Sequence, residues 1–383
     1  MKRITLISGL PPSNGGVGRL MQALITSADS QVDVIYPDPQ KSESIKKLLL
    51  NKRFYQSCKE IYKRIFGGFW YFKLYFMKGE ACICIHPQTI GFSLLLRIIK
   101  RNIVYLYVMD NSFFCITSYN YDTYNKSECL RCVNFENSPR DTCKSFPVEY
   151  SVSENTNFIR DLYEVGFKLR FLCQNENQKK LLNTHFGRDV MAITVGMNTN
   201  ELGGIFPSRV LSDGYDFIYH GADSLAKGLG YFIEIAQKMT KFSFFIPINK
   251  KHCESLINKT IDEVNITFED CNWETGLKEI VVNSKFTINP SLWSAPIEGA
   301  LIKSIFYGQN IFVVESEYGF ENEIANKFNI ERLPVDCNLA VIALNKAMMA
   351  YKYDERVFLK RGRELLTFMS SENIFTVVRS DLE

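Results

Sequence analysis

Short apolar runs alternate with amphipathic segments along the whole chain. In the first half, the runs that predict buried parallel strands are residues 3–8, 32–36, 81–85, 103–108 and 170–174. In the second half they are residues 216–219, 242–248, 265–268, 285–288 and 311–314. Apolar residues at helical spacing follow several runs, at residues 19–27, 227–239 and 297–306. This alternation predicts an α/β protein with parallel sheets covered by helices on both faces.

Two domains are predicted, because a single hydrophobic core rarely serves a chain of 383 residues. Turn-forming residues cluster between the two halves, at Gly196, Gly203, Gly204, Pro207 and Ser208. We therefore predict an N-terminal domain over residues 1–197 and a C-terminal domain over residues 198–383. The first domain includes a cysteine-rich loop at residues 115–143, and the last helix of the chain is expected to pack back on this domain.

The composition is that of an ordinary globular protein, with 46% hydrophobic and 23% charged residues. A net charge of +3 is too small to indicate a nucleic-acid partner, and none is predicted. No apolar stretch reaches the roughly 18 residues of a membrane span, and the apolar run at the N-terminus is too short for a signal sequence. A cytoplasmic location is therefore expected, where the eleven cysteines would remain reduced.

The first candidate site is a glycine loop between the first strand and the first helix. It contains Gly15, Gly16 and Gly18. Glycines allow a backbone to approach a ligand closely, and the helix that follows attracts anions to its N-terminus. The alternative interpretation is a tight turn that binds nothing.

The second candidate site combines Gly221 with Lys227, at the end of a strand and the start of a predicted helix. A cation together with free backbone N–H groups suits a diphosphate. A lysine considered alone is more often a solvated surface residue.

The third candidate site is the polar loop that runs from a strand into the helix at residues 297–306. It contains Ser294, Pro296, Glu298 and Gly299. Glu298 is expected in the first turn of the helix, where the helix dipole favours a carboxylate. Simple helix capping is the alternative, although it needs fewer special residues than this loop contains.

Together these segments resemble a known family, the retaining nucleotide-sugar-dependent glycosyltransferases of the GT-B fold that build bacterial surface polysaccharides (family 4-like, group 1). The segments that carry the resemblance, in chain order, are residues 15–19, 109–115, 175–187, 195–199, 221–228 and 290–308. The resemblance implies two Rossmann-like domains that face each other across a cleft. It also implies transfer of a sugar from a UDP- or GDP-sugar donor to a glycan or polyprenyl-linked acceptor, with retention and without a catalytic cofactor.

The resemblance also implies roles for individual residues. Glu298, Lys227 and Asp110 are the expected catalytic residues. From its place after a predicted strand, His86 is a candidate acceptor contact beside Asp110, although a lone histidine is more often structural. The expected donor-binding residues are Gly15, Gly16, Gly18, Gly221, Lys227, Ser294, Pro296, Glu298 and Gly299.

The chain departs from the family pattern at three positions. Ala222 stands where the family usually has an arginine, Met109 where it has a histidine, and Lys303 where it has a glutamate that binds ribose. These departures favour a second hypothesis, a catalytically degenerate GT-B protein that acts as a binding or scaffold partner.

Four cysteines lie close together in the sequence, at Cys115, Cys129, Cys132 and Cys143. Four thiolates at such spacing can bind a structural zinc ion, which would order a loop that has little core of its own. The alternative is four unpaired cysteines in a variable loop.

Residues 41–101 are strongly basic, with thirteen Lys or Arg residues against three acids and many aromatic residues between them. This pattern suits an anionic membrane surface, and it also suits nucleic acid or an ordinary solvated helix. We favour the membrane because the family that the chain resembles often acts on lipid-linked sugars, which predicts a peripheral position on the inner face of the plasma membrane.

Overall fold

The computed structural model describes residues 3–13, 15–37, 69–187, 190–197, 202, 214–328, 330–369 and 373–383. These residues form two six-stranded sheets, in which all paired strands are parallel, and one antiparallel ribbon. The predicted α/β class is confirmed.

The N-terminal sheet contains β1 (Ile4–Ser8), β2 (Val32–Ile35), β3 (Ala81–Ile85), β4 (Ile103–Tyr107), β7 (Leu169–Cys173) and β8 (Met191–Thr194). Its strand order is β2-β1-β3-β4-β7-β8. The helices of this half are α1 (Gly16–Ser27), α2 (Phe69–Phe76), α3 (Pro87–Ile90), α4 (Phe92–Arg101), α5 (Val152–Val165) and α6 (Glu176–Phe186). The ribbon consists of β5 (Tyr121–Asp122) and β6 (Ser127–Glu128), between β4 and α5.

The C-terminal sheet contains β9 (Phe217–Tyr219), β10 (Phe244–Ile246), β11 (Ile266–Phe268), β12 (Phe286–Asn289), β13 (Asn310–Val314) and β14 (Glu331–Leu333). Its strand order is β11-β10-β9-β12-β13-β14. The helices are α7 (Leu229–Lys238), α8 (Lys250–Ile257), α9 (Lys278–Asn283), α10 (Gly299–Tyr307), α11 (Glu321–Phe328), α12 (Cys337–Ala350), α13 (Glu355–Phe368) and α14 (Ile374–Leu382).

Burial explains why the central strands could be found in the sequence. All five residues of β1 and of β3 are buried, and β9 and β12 are buried throughout. A strand covered on both faces is predominantly apolar, since each side chain points into one of two helix layers. Residues 3–8 and 81–85 were predicted on this basis, and the structure places strands at both.

Each sheet has a point at which successive connections run in opposite directions. In the N-terminal sheet this point lies between β1 and β3, and in the C-terminal sheet it lies between β9 and β12. Loops at the carboxyl ends of such strands diverge and leave a crevice, which is where open α/β sheets bind ligands. The four loops that follow β1, β3, β9 and β12 are therefore the place to look for a site.

The last helix, α14, packs against the N-terminal sheet although it follows the C-terminal one. Its Ile374, Phe375 and Val378 are buried in the same cluster as the side chains of β1. The Tyr105 hydroxyl donates to Asp381 Oδ2 at 2.6 Å, which fixes the helix to β4. The chain thus crosses between the two halves twice. Within the described residues, no helix is both long enough and apolar enough to cross a membrane.

Candidate functional site

The centre of the site is an ion pair between Lys227 and Glu298, which the sequence analysis had selected separately. Lys227 lies in the loop after β9, and its Nζ contacts Glu298 Oε1. Ser291 Oγ donates to the other carboxylate oxygen at 2.7 Å. The lysine and glutamate side chains are only 14% and 13% exposed. Burial lowers the pKa of Lys227 to about 7, while the adjacent carboxylate acts in the opposite direction by favouring the charged amine.

Local backbone geometry places Lys227 in this position. Gly228 has φ of +77° and caps the start of α7, and a Cβ atom there would collide with the carbonyl of Pro290. Only glycine fits such a close approach between the two loops. The sequence analysis predicted a helix over residues 227–239, but α7 begins at Leu229. Lys227 therefore lies in the loop before the helix and not in its first turn.

Glu298 also differs from its predicted place. It was expected in the first turn of the helix, but it is the N-cap residue of α10, with extended φ and ψ of −102° and 128°. Its side chain makes no capping hydrogen bond, because the carboxylate points to Lys227 and Ser291 instead. The N-terminus of α10, which starts at Gly299, thus has no side-chain cap, and an anion could be bound there.

Two aromatic side chains enclose the lysine, one from each half of the molecule. The ammonium nitrogen of Lys227 lies 4.5 Å from the ring centroid of Trp293 and 5.0 Å from that of Tyr119. The two rings are 4.4 Å apart. Cation–π attraction therefore favours the charged form of the lysine in a place that water scarcely reaches. Tyr119 was not predicted, since a tyrosine in a loop 108 positions before Lys227 carries no recognisable signal.

Asp110 and His86 lie on the N-terminal side of this centre. His86 follows β3, has a left-handed backbone with φ of 58°, and its Nδ1 is 2.8 Å from Thr89 Oγ1. Burial lowers the pKa of His86, and the Asp110 carboxylate opposes this change. Burial, with Asp110 as a smaller cause, raises the pKa of Tyr119 to about 12. Asp110 is therefore within electrostatic reach of both His86 and Tyr119, which links the predicted acceptor side to the lysine.

The glycine loop occupies the carboxyl end of β1, the same sheet edge as His86. Gly15 is the N-cap of α1 without a side-chain cap, and Gly15 and Gly16 are exposed. Gly18 is buried, and a Cβ atom there would collide with Ser13. Gly15 and Gly16 thus leave the N-terminus of α1 accessible to a ligand, whereas Gly18 is needed because the backbone packs closely against Ser13.

The remaining predicted donor residues have different surroundings. A Cβ atom at Gly221 would lie 2.7 Å from the Tyr219 hydroxyl. That hydroxyl is within hydrogen-bond distance of the carbonyl oxygens of Ala222 and Lys227. It therefore fixes the backbone at both ends of the loop that carries Lys227. Pro296 lines a narrow cavity of about 10 Å³ together with Glu298 and Ser291. Ser294 is buried and bonds to residues of the N-terminal half.

Lys303, the third departure from the family pattern, lies beside an aromatic pair. Its Nζ is 5.0 Å from the ring centroid of Trp273. His220 stacks on the same indole at 5.5 Å, and burial together with the nearby Lys303 lowers the pKa of His220 to about 3. At neutral pH this position therefore combines one cation with a neutral histidine and an indole.

A larger cavity of about 330 Å³ lies between the two halves. Its lining includes Asn175 and Met197 from the first half and Ile297 and Phe320 from the second. Asn175 is 2% exposed, and its Nδ2 has no hydrogen-bond partner among the described residues. Because Ile297 precedes Glu298, the cavity borders the loop that holds the ion pair.

The four predicted zinc ligands are all free thiols. Burial, followed by the neighbouring thiols Cys129 and Cys143, raises the pKa of Cys132 to about 11. In the part of the chain that the structure describes, no three His, Cys, Asp or Glu side chains are arranged to hold a metal ion. The geometry thus gives the zinc site no support, and it stays a prediction that the zinc content of the purified protein tests.

The basic and aromatic region at residues 41–101 is described only from residue 69 onward. Residues 41–68 of the prediction lie outside the described residues. On α2, Phe72 and Phe76 are 60% and 66% exposed, and Tyr71 is 45% exposed. The guanidinium of Arg97 lies over the ring of Tyr75 at 3.7 Å. An exposed aromatic surface with adjacent cations is therefore present on this side of the N-terminal half.

Comparisons with known proteins give a fold but no sequence relative. No protein-family model matches the chain, and no curated protein matches its sequence. The structure of Anabaena Alr3699/HepE in complex with UDP-glucose aligns with a TM-score of 0.57 at 8% identity over 99% of both chains. An α,α-trehalose-phosphate synthase (UDP-forming) from Burkholderia vietnamiensis aligns with a TM-score of 0.51 at 12% identity, covering 100% of this chain and 98% of that one.

Larger proteins also align, over part of their length. The chain spans 58% of the pneumococcal O-GlcNAc transferase GtfA, with a TM-score of 0.49 and 13% identity. The full-length similarities, together with the two parallel sheets, show that this chain has the GT-B fold.

Proposed function

We propose that the protein is a glycosyltransferase that takes a sugar from a nucleoside-diphosphate donor. The observation that carries the proposal is the buried Lys227, held by Glu298 at the carboxyl ends of β9 and β12. A lysine is seldom buried unless its charge is paired, because desolvation of an ammonium group is costly, and this pair lies at the sheet edge where open α/β sheets bind ligands. Two full-length structural neighbours also support a donor of this class, since one is crystallised with UDP-glucose and the other is described as UDP-forming.

In this proposal the diphosphate of the donor replaces Glu298 as the partner of Lys227. The uncapped N-terminus of α10 adds backbone N–H groups next to the lysine. Negative charge accumulates on the leaving diphosphate as the glycosidic bond breaks, and a fixed cation and N–H dipoles stabilise that state more than the ground state. Lys303 can donate hydrogen bonds to ribose hydroxyls, where a glutamate would accept them.

The acceptor is proposed to enter on the side of His86 and Asp110. A carboxylate and a neutral imidazole both accept hydrogen bonds, so either can orient an acceptor hydroxyl. Following the family that the chain resembles, we propose retention at the sugar carbon, no metal in catalysis, and a role in cell-surface polysaccharide synthesis.

A lipid-linked acceptor would bring the enzyme to a membrane. The exposed Phe72 and Phe76, with Lys73 and Lys78 near them in sequence, suit the interface of an anionic bilayer. We propose a peripheral position on the cytoplasmic face.

Substitution of Phe72 and Phe76 by serine should weaken sedimentation with phosphatidylglycerol vesicles, whereas substitution of the exposed Tyr124, on the ribbon, should not. Equal sedimentation of both variants and the parent protein would contradict this part.

The donor proposal is tested by a thermal-shift panel with UDP, GDP and their common sugar conjugates. A ligand that binds only the native state raises the melting temperature by mass action. We expect a clear shift with one nucleotide and its loss in Lys227→Ala, while the exposed Lys251→Ala serves as the matched control. Absence of any shift in folded protein would favour the second hypothesis, a degenerate GT-B protein that binds a partner. The departures at Ala222, Met109 and Lys303 are what favour that alternative.

A further inference from the structure

The cysteine-rich region between β4 and α5 makes polar contacts with two loops of the C-terminal half. We call residues 111–147 the bridging segment. All three polar groups of Ser294, in the loop after β12, bond to it. The Ser294 N–H donates to Asn120 Oδ1 at 3.1 Å, its carbonyl accepts from Asn111 Nδ2 at 2.9 Å, and its hydroxyl accepts from Asn120 Nδ2 at 2.9 Å.

Asn120 is the hub of this network. Its amide oxygen accepts from both Asn111 and Ser294, and its amide nitrogen donates to Ser294 and to the carbonyl of Cys129. It is therefore fully satisfied while being completely buried. A buried amide whose whole hydrogen-bonding capacity is used tolerates little displacement, because each lost bond leaves a polar group without water.

Glu128, at the end of β6, connects the bridging segment to a second loop of the C-terminal half. Its carboxylate accepts from the Ser294 hydroxyl and, at 2.6 Å, from the backbone N–H of Glu317. Glu317 lies in the loop between β13 and α11. One carboxylate thus holds two loops that surround the carboxyl ends of the C-terminal strands.

The contacts of the bridging segment with Ser294 also affect the Lys227–Glu298 ion pair, because the residues that make them are neighbours in sequence of the two rings beside Lys227. Ser294 directly follows Trp293, whose ring lies against Lys227, and it precedes Glu298 by four positions. Tyr119 directly precedes Asn120 and supplies the other ring beside Lys227. Any movement of the segment away from Ser294 would therefore remove one wall of the lysine site and release the loop that carries the other.

We propose that Asn120 and Glu128 of the bridging segment are positioning residues for the donor loop at residues 290–298. They hold this loop through Ser294 in the conformation in which Lys227 is enclosed and ready for a diphosphate. The inference rests on the proposed function for its consequence in donor binding, but its structural part, the ordering of the loop from the other domain, stands without it.

The test uses two variants and one matched control in the full-length protein. Ser294→Ala removes the hydroxyl that bonds to Asn120 and Glu128. Glu128→Gln leaves one accepting oxygen, so the side chain can no longer accept from both the Ser294 hydroxyl and the Glu317 N–H. Asp122→Asn is the control, because Asp122 is buried in the same ribbon but bonds to Tyr124, Asn125 and Arg140 of the segment itself. Hydrogen–deuterium exchange of residues 290–298 without nucleotide is the first readout, and calorimetric titration with UDP-glucose is the second.

We expect exchange at residues 290–298 to be about tenfold faster in both variants, and UDP-glucose binding to weaken by a similar factor. The Asp122→Asn control should change neither. Unchanged exchange in Ser294→Ala and Glu128→Gln, or equally faster exchange in the control, would overturn the proposal. If the parent protein binds no UDP-glucose, the proposed function fails, while the exchange data still decide whether the segment orders the loop.

Discussion

Replacement of Glu298 by glutamine separates the proposed donor site from a purely structural ion pair. The substitution keeps the size of the side chain but removes the charge that faces Lys227. If a diphosphate has to displace this carboxylate, the variant should bind UDP more tightly than the parent. If the pair only stabilises the fold, the variant should be less stable and bind UDP no better.

Coulomb's law gives the scale of the effect for a pair whose side chains are only 14% and 13% exposed. Two unit charges about 4 Å apart attract by about 4 kcal/mol at an effective dielectric constant near 20. Only part of this is forfeited on displacement, because Ser291 and water can still solvate the freed carboxylate. A gain of about 1.4 kcal/mol, which is about tenfold in Kd, is the expected result of removing the competitor.

The pH dependence of binding gives an internal check. Burial lowers the pKa of Lys227 to about 7, and a bound diphosphate would raise it again. The complex then holds more protons than the free protein, so affinity falls as the pH rises above 7. The loss approaches about tenfold per pH unit above the pKa that Lys227 has in the free protein.

Isothermal titration calorimetry with UDP at both pH values is the assay, with Lys227→Met as the control that should show neither the affinity nor the pH dependence. Weaker UDP binding in Glu298→Gln, with no loss of affinity in the parent between pH 7 and pH 8, would refute the reasoning.

Three further predictions concern individual charged side chains. Arg361 donates to the carbonyls of Ile305, Gly308 and Gln309 at the end of α10. Arg361→Ala should lower the free energy of unfolding, measured by urea denaturation, by about 3 kcal/mol. A loss below about 1 kcal/mol would contradict the capping role of Arg361. Burial raises the pKa of Glu321 to about 7, so stability should fall as the pH rises from 4.5 to 7; Glu321→Gln should flatten that dependence in pH-dependent melting, and an unchanged slope would speak against it. Asp110→Asn should reduce turnover at least tenfold while the Kd for UDP stays within twofold, and parallel losses of both would remove Asp110 from the acceptor side.

The sequence analysis identified the central strands, which are buried on both faces, and missed the exposed edge strand β14. Strands β1, β3, β9 and β12 are buried at every position, and β3 and β9 are apolar throughout, because both faces of the sheet are covered. Short edge strands such as β14, in which two of three residues are exposed, carry no such pattern and were not predicted.

For the candidate site, the sequence predicted the individual residues but not the contacts between them. Lys227 and Glu298 could be selected because each lies in a polar loop after a buried strand, where parallel sheets bind ligands. Their direct contact, and the N-cap position of Glu298, depend on the path of two loops that are 71 positions apart. Asn120 could not be connected to Ser294, 174 positions away, because nothing in either local sequence specifies a partner in another domain.

The central claim is that Lys227, released from Glu298, binds the diphosphate of a sugar nucleotide. A crystal structure of the protein soaked with UDP tests it most directly. The account predicts phosphate oxygens within hydrogen-bond distance of Lys227 Nζ and near the N-terminus of α10, with the Glu298 carboxylate turned away. UDP bound elsewhere, or a Lys227–Glu298 pair that persists beside bound UDP, would contradict it.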